Sequence, residues 1–126
     1  MEKLVSLLEQ GEDYFGSGGR NTPEFNSFFT AFKRELTKEL KAEGATKIEL
    51  GKGHFYLSGF FTTESGQIVY ISLSDVRHNF GGGEPRLLYR TAKHYRDFTG
   101  GSNRYQTIRK GMAQQMVKNV SVSLYN

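Results

Sequence analysis

The chain has 126 residues, the size of one domain, and a chain of this length buries a real core without cross-links. It contains no cysteine, which excludes disulfides, thiolate metal sites and cysteine nucleophiles, and no apolar run reaches the length of a membrane span. With a net charge of +4, it reads as a soluble cytoplasmic protein, a single domain over residues 1–126, with no membrane partner.

Residues 2 to 10 carry Leu4, Val5, Leu7 and Leu8 and predict a short helix ended by Gly11. The glycine-rich EDYFGSGGRN follows as a connector. Thr22 and Pro23 then supply an N-cap and a first helical residue. Phe25, Phe28, Phe29, Phe32, Leu36 and Leu40 recur at intervals of three and four, which predicts a helix with one buried stripe. Lys33, Arg34, Lys38, Glu39 and Lys41 form its other face, and Gly44 is its stop.

Beyond Gly44 the period shortens towards two. ATKIEL predicts a strand, GKG a turn, HFYLSGFFTT a longer strand, ESGQ a hairpin turn and IVYISLSDV the returning strand. In that last strand Val69, Ile71 and Leu73 share one face, while Tyr70, Ser72 and Ser74 share the other. Gly59, set among aromatic residues, points to a bulge or a covering ring. RLLYRTA predicts a fourth strand. Residues 93–106, KHYRDFTGGSNRYQ, show no apolar period and are left open. IRKGMAQQMVKNVSVSLY predicts a helix with Ile108, Met112, Met116 or Val117, Val120 and Leu124 as its buried stripe. Gly111 weakens its start, and the β-branched Val120 and Val122 leave a strand as the alternative for its end. The expected fold is α+β. An antiparallel sheet of three to four strands is flanked by N-terminal helices and a C-terminal helix, in two layers.

The positive charge is regional. From Arg77 to Lys110 eight Lys and Arg oppose two acids, whereas nine oppose eleven elsewhere. This points to an anionic partner for that third of the chain. Its bases alternate with Tyr89, Tyr95, Phe98 and Tyr105, a mixture that suits a protein interface or nucleic-acid stacking. FGGGEPR and FTGGSNR place glycines beside an arginine, but neither matches a Walker loop or a dinucleotide fingerprint. Ser102, His94 and Asp97 lie too close in one loop to make a credible nucleophilic triad. Asp75, His78, His94 and Asp97 flank two loops and form a candidate zinc-ligand set if those loops meet at one end of the sheet. The plainer role for both aspartates is to brace their loops through arginine.

The phrases GHFYLSGFF, YISLSDVR and LLYRTAKHYRDFTGGSNRY together resemble small uncharacterised proteins of mobile elements and phages of Gram-positive bacteria. What the resemblance implies is a counter-defence factor, with anti-CRISPR inhibitors of RNA-guided nucleases as one such class. The activity so implied is stoichiometric binding to a host CRISPR effector nuclease or its guide-RNA complex, without catalysis. Basic charge sets this chain apart from inhibitors that mimic DNA. The expected contact surface is Arg77, Arg86, Arg90, Arg96 and Arg104 with Tyr95, Phe98 and Tyr105, and no cofactor is implied. The alternatives are a nucleic-acid-binding accessory protein of a mobile element, or a metal-binding protein built on the four loop ligands.

Overall fold

The computed structural model describes residues 23–51, 57–73, 86–99, 103–108 and 111–123. The expected helix over residues 2–10 and its connector lie outside them. Helix α1, Pro23–Ala42, is followed by strands β1, Thr46–Gly51, β2, Leu57–Thr62, β3, Ile68–Leu73, β4, Arg86–Ala92, and β5, Arg104–Thr107; helix α2, Met112–Ser123, closes the order. The strands form one antiparallel sheet in the order β1-β2-β3-β4-β5. The α+β arrangement matches the sequence reading, with one strand more than the three to four expected.

The extra strand is β5, at the edge of the sheet, and it begins within the stretch left open and ends one residue beyond it. Its sequence RYQT turns Arg104 and Gln106 towards the helices, opposite Tyr89 and Leu87, so it shows no apolar alternation. Gln106 is nevertheless buried.

Helix α1 stops as its sequence implies. The Ala45 N–H bonds to the Leu40 carbonyl at 3.1 Å and the Gly44 N–H to that of Lys41 at 3.0 Å, with Gly44 at φ +85°. These are the paired bonds of a Schellman cap. Phe32, Leu36 and Leu40 are fully buried, and Phe29 packs against them in part. The β2–β3 turn is closed by the Thr63 N–H to the Gln67 carbonyl at 2.8 Å, with Gly66 at φ +94°.

The core lies between the helices and one sheet face. Leu50, Leu57, Phe61, Val69, Ile71, Leu73, Leu87 and Tyr89 meet Phe32, Leu36 and Leu40 of α1 and Met112, Met116 and Val120 of α2. Helix α2 begins after Gly111, at φ +84°, so Ile108 is buried ahead of the helix rather than on its stripe. The β-branched residues stay helical through Ser123, which corrects the strand alternative, and Leu124 lies outside the described residues. Asn119 fastens α2 to the sheet. Its Nδ2 donates to the Tyr89 hydroxyl at 2.8 Å, its Oδ1 accepts from Gln115 Nε2 at 2.9 Å, and its carbonyl accepts from Arg104 Nη1 at 3.2 Å.

Gly59 owes its place to backbone, not to a covering ring. A Cβ there would lie 1.8 Å from the Glu49 carbonyl oxygen. The bulge is in the neighbouring strand: Thr46 pairs Thr62 and Glu49 pairs Phe60, so β1 carries one extra residue, with Lys47 at φ 50°.

Candidate binding face

The sheet face turned away from the helices is defined by its register. Phe60, Tyr70 and Arg90 lie in line across β2, β3 and β4, and Ser58, Ser72, Leu88 and Tyr105 continue that face one step along. The sequence alternation had placed Tyr70 and Ser72 here. Phe60 and Tyr70 are large, and both are buried. Their cover is the segment after β4, residues 93–99, which folds back across them as a strap.

Three sets of bonds fasten the strap. At its root the Asp97 carboxylate accepts from the Lys93 N–H at 3.0 Å, the Thr99 N–H at 3.2 Å and the Thr99 hydroxyl at 2.5 Å. The Lys93 N–H, then the Thr99 hydroxyl and N–H, hold this carboxyl well below its ordinary pKa of 3.8. The nearby Arg90 charge adds to that effect, and desolvation opposes it. In its middle, Arg90 Nη2 donates to the Asp97 carbonyl at 2.6 Å and Nη1 to that of Thr91 at 3.3 Å. The same guanidinium lies over the Tyr70 ring, 4.6 Å from its centroid. Towards β1, the Tyr95 hydroxyl donates to the Lys47 carbonyl at 2.6 Å and sits 2.8 Å from the Thr62 hydroxyl.

Ring contacts complete the cover. Phe60 meets Tyr70 at 5.2 Å, Tyr95 at 5.5 Å and Phe98 at 5.6 Å, and Phe98 meets Tyr70 edge-on at 6.1 Å. Phe98 nonetheless stays 64 % exposed, and Tyr105 is 53 % exposed. Tyr105 stands two strands from Tyr70 and one side-chain repeat along. At ~4.8 Å per strand and ~3.4 Å per residue, it is about 12 Å from Tyr70 on the same face.

The expected contact residues therefore divide. Phe98 and Tyr105 are exposed on this face, Arg96 is exposed in the strap, and Tyr95 is half-buried as the strap's fastening. Arg90 is only 3 % exposed, so it is a buried brace and not a contact arginine. Its partner is the Asp97 carbonyl, whereas a bond to the carboxylate was the expectation. Arg104 lies on the opposite face from Tyr105 and reaches the α2 backbone. Arg86 pairs Thr107 through its backbone, its side chain being outside the described residues, as is the whole of Arg77. Lys93, at the start of the strap, is an exposed base that the expected set did not contain.

Of the zinc-ligand set, His94 is exposed and its Nδ1 donates to the Tyr95 carbonyl at 2.8 Å, while the Asp97 carboxylate is occupied as described. Asp75 and His78 lie outside the described residues. β3 and β4 do pair, but Ile68 faces Ala92 and Ser72 faces Leu88, so Leu73 and Lys93 leave the sheet at opposite ends. Among the described residues, no three His, Asp or Glu side chains gather into a ligand set. No helix among the described residues is long and apolar enough to cross a membrane.

Sequence reasoning missed the floor of this face as a unit, Phe60 and Tyr70 under Phe98. It also missed the two distant anchors of Tyr95, Lys47 and Thr62. Compared with models of protein families, with curated proteins and with solved structures, the chain matches none.

Proposed function

We propose that this chain is a non-enzymatic binding protein whose contact surface is the strapped sheet face, with Phe98 and Tyr105 as its apolar anchors. The observation that carries the reading is a contradiction within the strap. Residues 93–99 are held by hydrogen bonds at their root, middle and far edge, yet they leave a phenylalanine outward. Phe98 covers Phe60 and Tyr70 with part of its ring, yet most of the ring faces outward, more than that cover requires. Fixing it there lowers the ordering cost of an association, because the ring is already in place when the partner arrives. Two exposed aromatic anchors on one sheet face, with the exposed bases Lys93 and Arg96 in the strap, have the composition of an interface centre and its polar rim.

The partner we propose follows the resemblance to mobile-element proteins: a host RNA-guided nuclease loaded with its guide, bound one to one and so inhibited. The strap's cations suit acidic protein surface beside the aromatic anchors. The test is a titration of the purified protein into a fixed amount of such a nuclease from a Gram-positive source, read as DNA cleavage. The expected result is a linear loss of cleavage that ends at one equivalent, with a complex of the two on a sizing column. Full cleavage at tenfold excess, with no complex, would remove the inhibitor reading.

A further inference from the structure

The opposite layer carries a second charged feature. A groove of about 610 Å³ runs along α1, lined among the described residues by Thr30, Lys33, Arg34, Thr37, Lys38 and Lys41 beside the half-buried Phe29. At 100° per residue, those six fall within about 140° of the helix circumference, and Thr30 to Lys41 span about 16 Å of its axis. Glu35 and Glu39 fall outside that arc, so the groove is cationic without interruption by acids. All four of its bases are exposed, while the apolar stripe of the helix is spent on the core.

We infer that this face of α1 is a binding site for the phosphate backbone of duplex DNA, through Lys33, Arg34, Lys38 and Lys41. Three of the four cations are lysines, which protein interfaces tend to exclude and phosphate backbones attract. The threonine hydroxyls add neutral donors of the kind that position a backbone. Aromatic rings that would stack unpaired bases are missing from the described lining apart from Phe29, so a duplex fits better than a single strand. An anionic membrane fits poorly, because Phe32, Leu36 and Leu40 are buried and leave no apolar face to insert. The site is separate from the strapped face, and neither proposal rests on the other.

Fluorescence anisotropy with a labelled 20-base-pair DNA duplex tests it. Four phosphate contacts give a slope of log affinity against log salt of about −3 to −4. The double variant K38Q/K41Q should lower that slope in magnitude by about two and weaken binding about tenfold at fixed low salt, with its circular dichroism unchanged. Replacing Phe98 and Tyr105 by alanine should change neither quantity. Failure of the parent protein to bind the duplex at 50 mM salt would overturn the proposal. So would a K38Q/K41Q slope equal to the parent's, or competition by polyglutamate as strong as that by unlabelled duplex.

Discussion

Replacing Arg90 by alanine separates a brace from a contact residue. The guanidinium is buried, donates to the Asp97 carbonyl at 2.6 Å and covers the Tyr70 ring at 4.6 Å. A hydrogen bond from a charged donor contributes about 1.5–3 kcal/mol, and a desolvated cation–π contact about 1–2 kcal/mol. The two share one group and do not add fully, so a loss of about 3 kcal/mol is expected. For a domain of this size that lowers the melting temperature by roughly 10–15 °C. Urea unfolding followed by circular dichroism measures the loss. K93A removes the same charge from an exposed side chain and should stay within about 0.5 kcal/mol of the parent. An R90A midpoint equal to that of K93A, with an unchanged dependence on urea, would refute the assignment of Arg90 as a buried brace.

Two further predictions concern the sheet and the strap. G59A should destabilise the protein by about 3 kcal/mol, since its methyl would meet the Glu49 carbonyl oxygen at 1.8 Å. G51A, whose methyl meets nothing within 4 Å, should be neutral to within about 0.5 kcal/mol, and equal midpoints for the two would discount the close approach of β1. Acid should loosen the strap late. The folded state holds the Asp97 carboxyl below its ordinary pKa of 3.8, so the unfolded chain takes up the proton first. The stabilisation from Asp97 is therefore complete above that ordinary value and is lost as pH falls through the lower, folded one. The amide resonances of Lys93 and Thr99 should keep their native positions at pH 4 and move only in stronger acid. A midpoint at 3.8 would contradict the three hydrogen bonds.

The sequence was most legible where local rules and packing agree. Pro23, the spacing of Phe32, Leu36 and Leu40, and Gly44 mark α1 at both ends because cap, period and stop coincide within one segment. The β2–β3 hairpin was equally plain, its turn glycine flanked by alternating apolar strands. β5 was not, because an edge strand that turns arginine and glutamine inward has no apolar period to detect. The strap was hidden for a different reason. Its anchors are long-range, Tyr95 meeting Lys47 across 48 positions, and no local pattern encodes such a return. Arg90 followed from that omission: on an open sheet face it would be a surface arginine, and only the returning strap buries it. Phe98 and Tyr105 were selected for composition alone, and the geometry supplies their shared face. The cationic side of α1 was visible as a helix face, but its groove required the fold.

The most direct test of the contact surface is the affinity of the double variant F98A/Y105A for the guide-loaded nuclease, measured by calorimetry beside the parent protein. Truncating a central aromatic anchor costs about 2 kcal/mol or more, roughly thirtyfold in affinity, so the pair should weaken binding by several hundredfold. Phe98 also packs on Phe60 and Tyr70, so a modest fall in melting temperature is expected, and affinities are compared at a temperature where the variant is fully folded. An affinity within threefold of the parent's, in a variant equally folded, would contradict the strapped face as the surface that meets the partner.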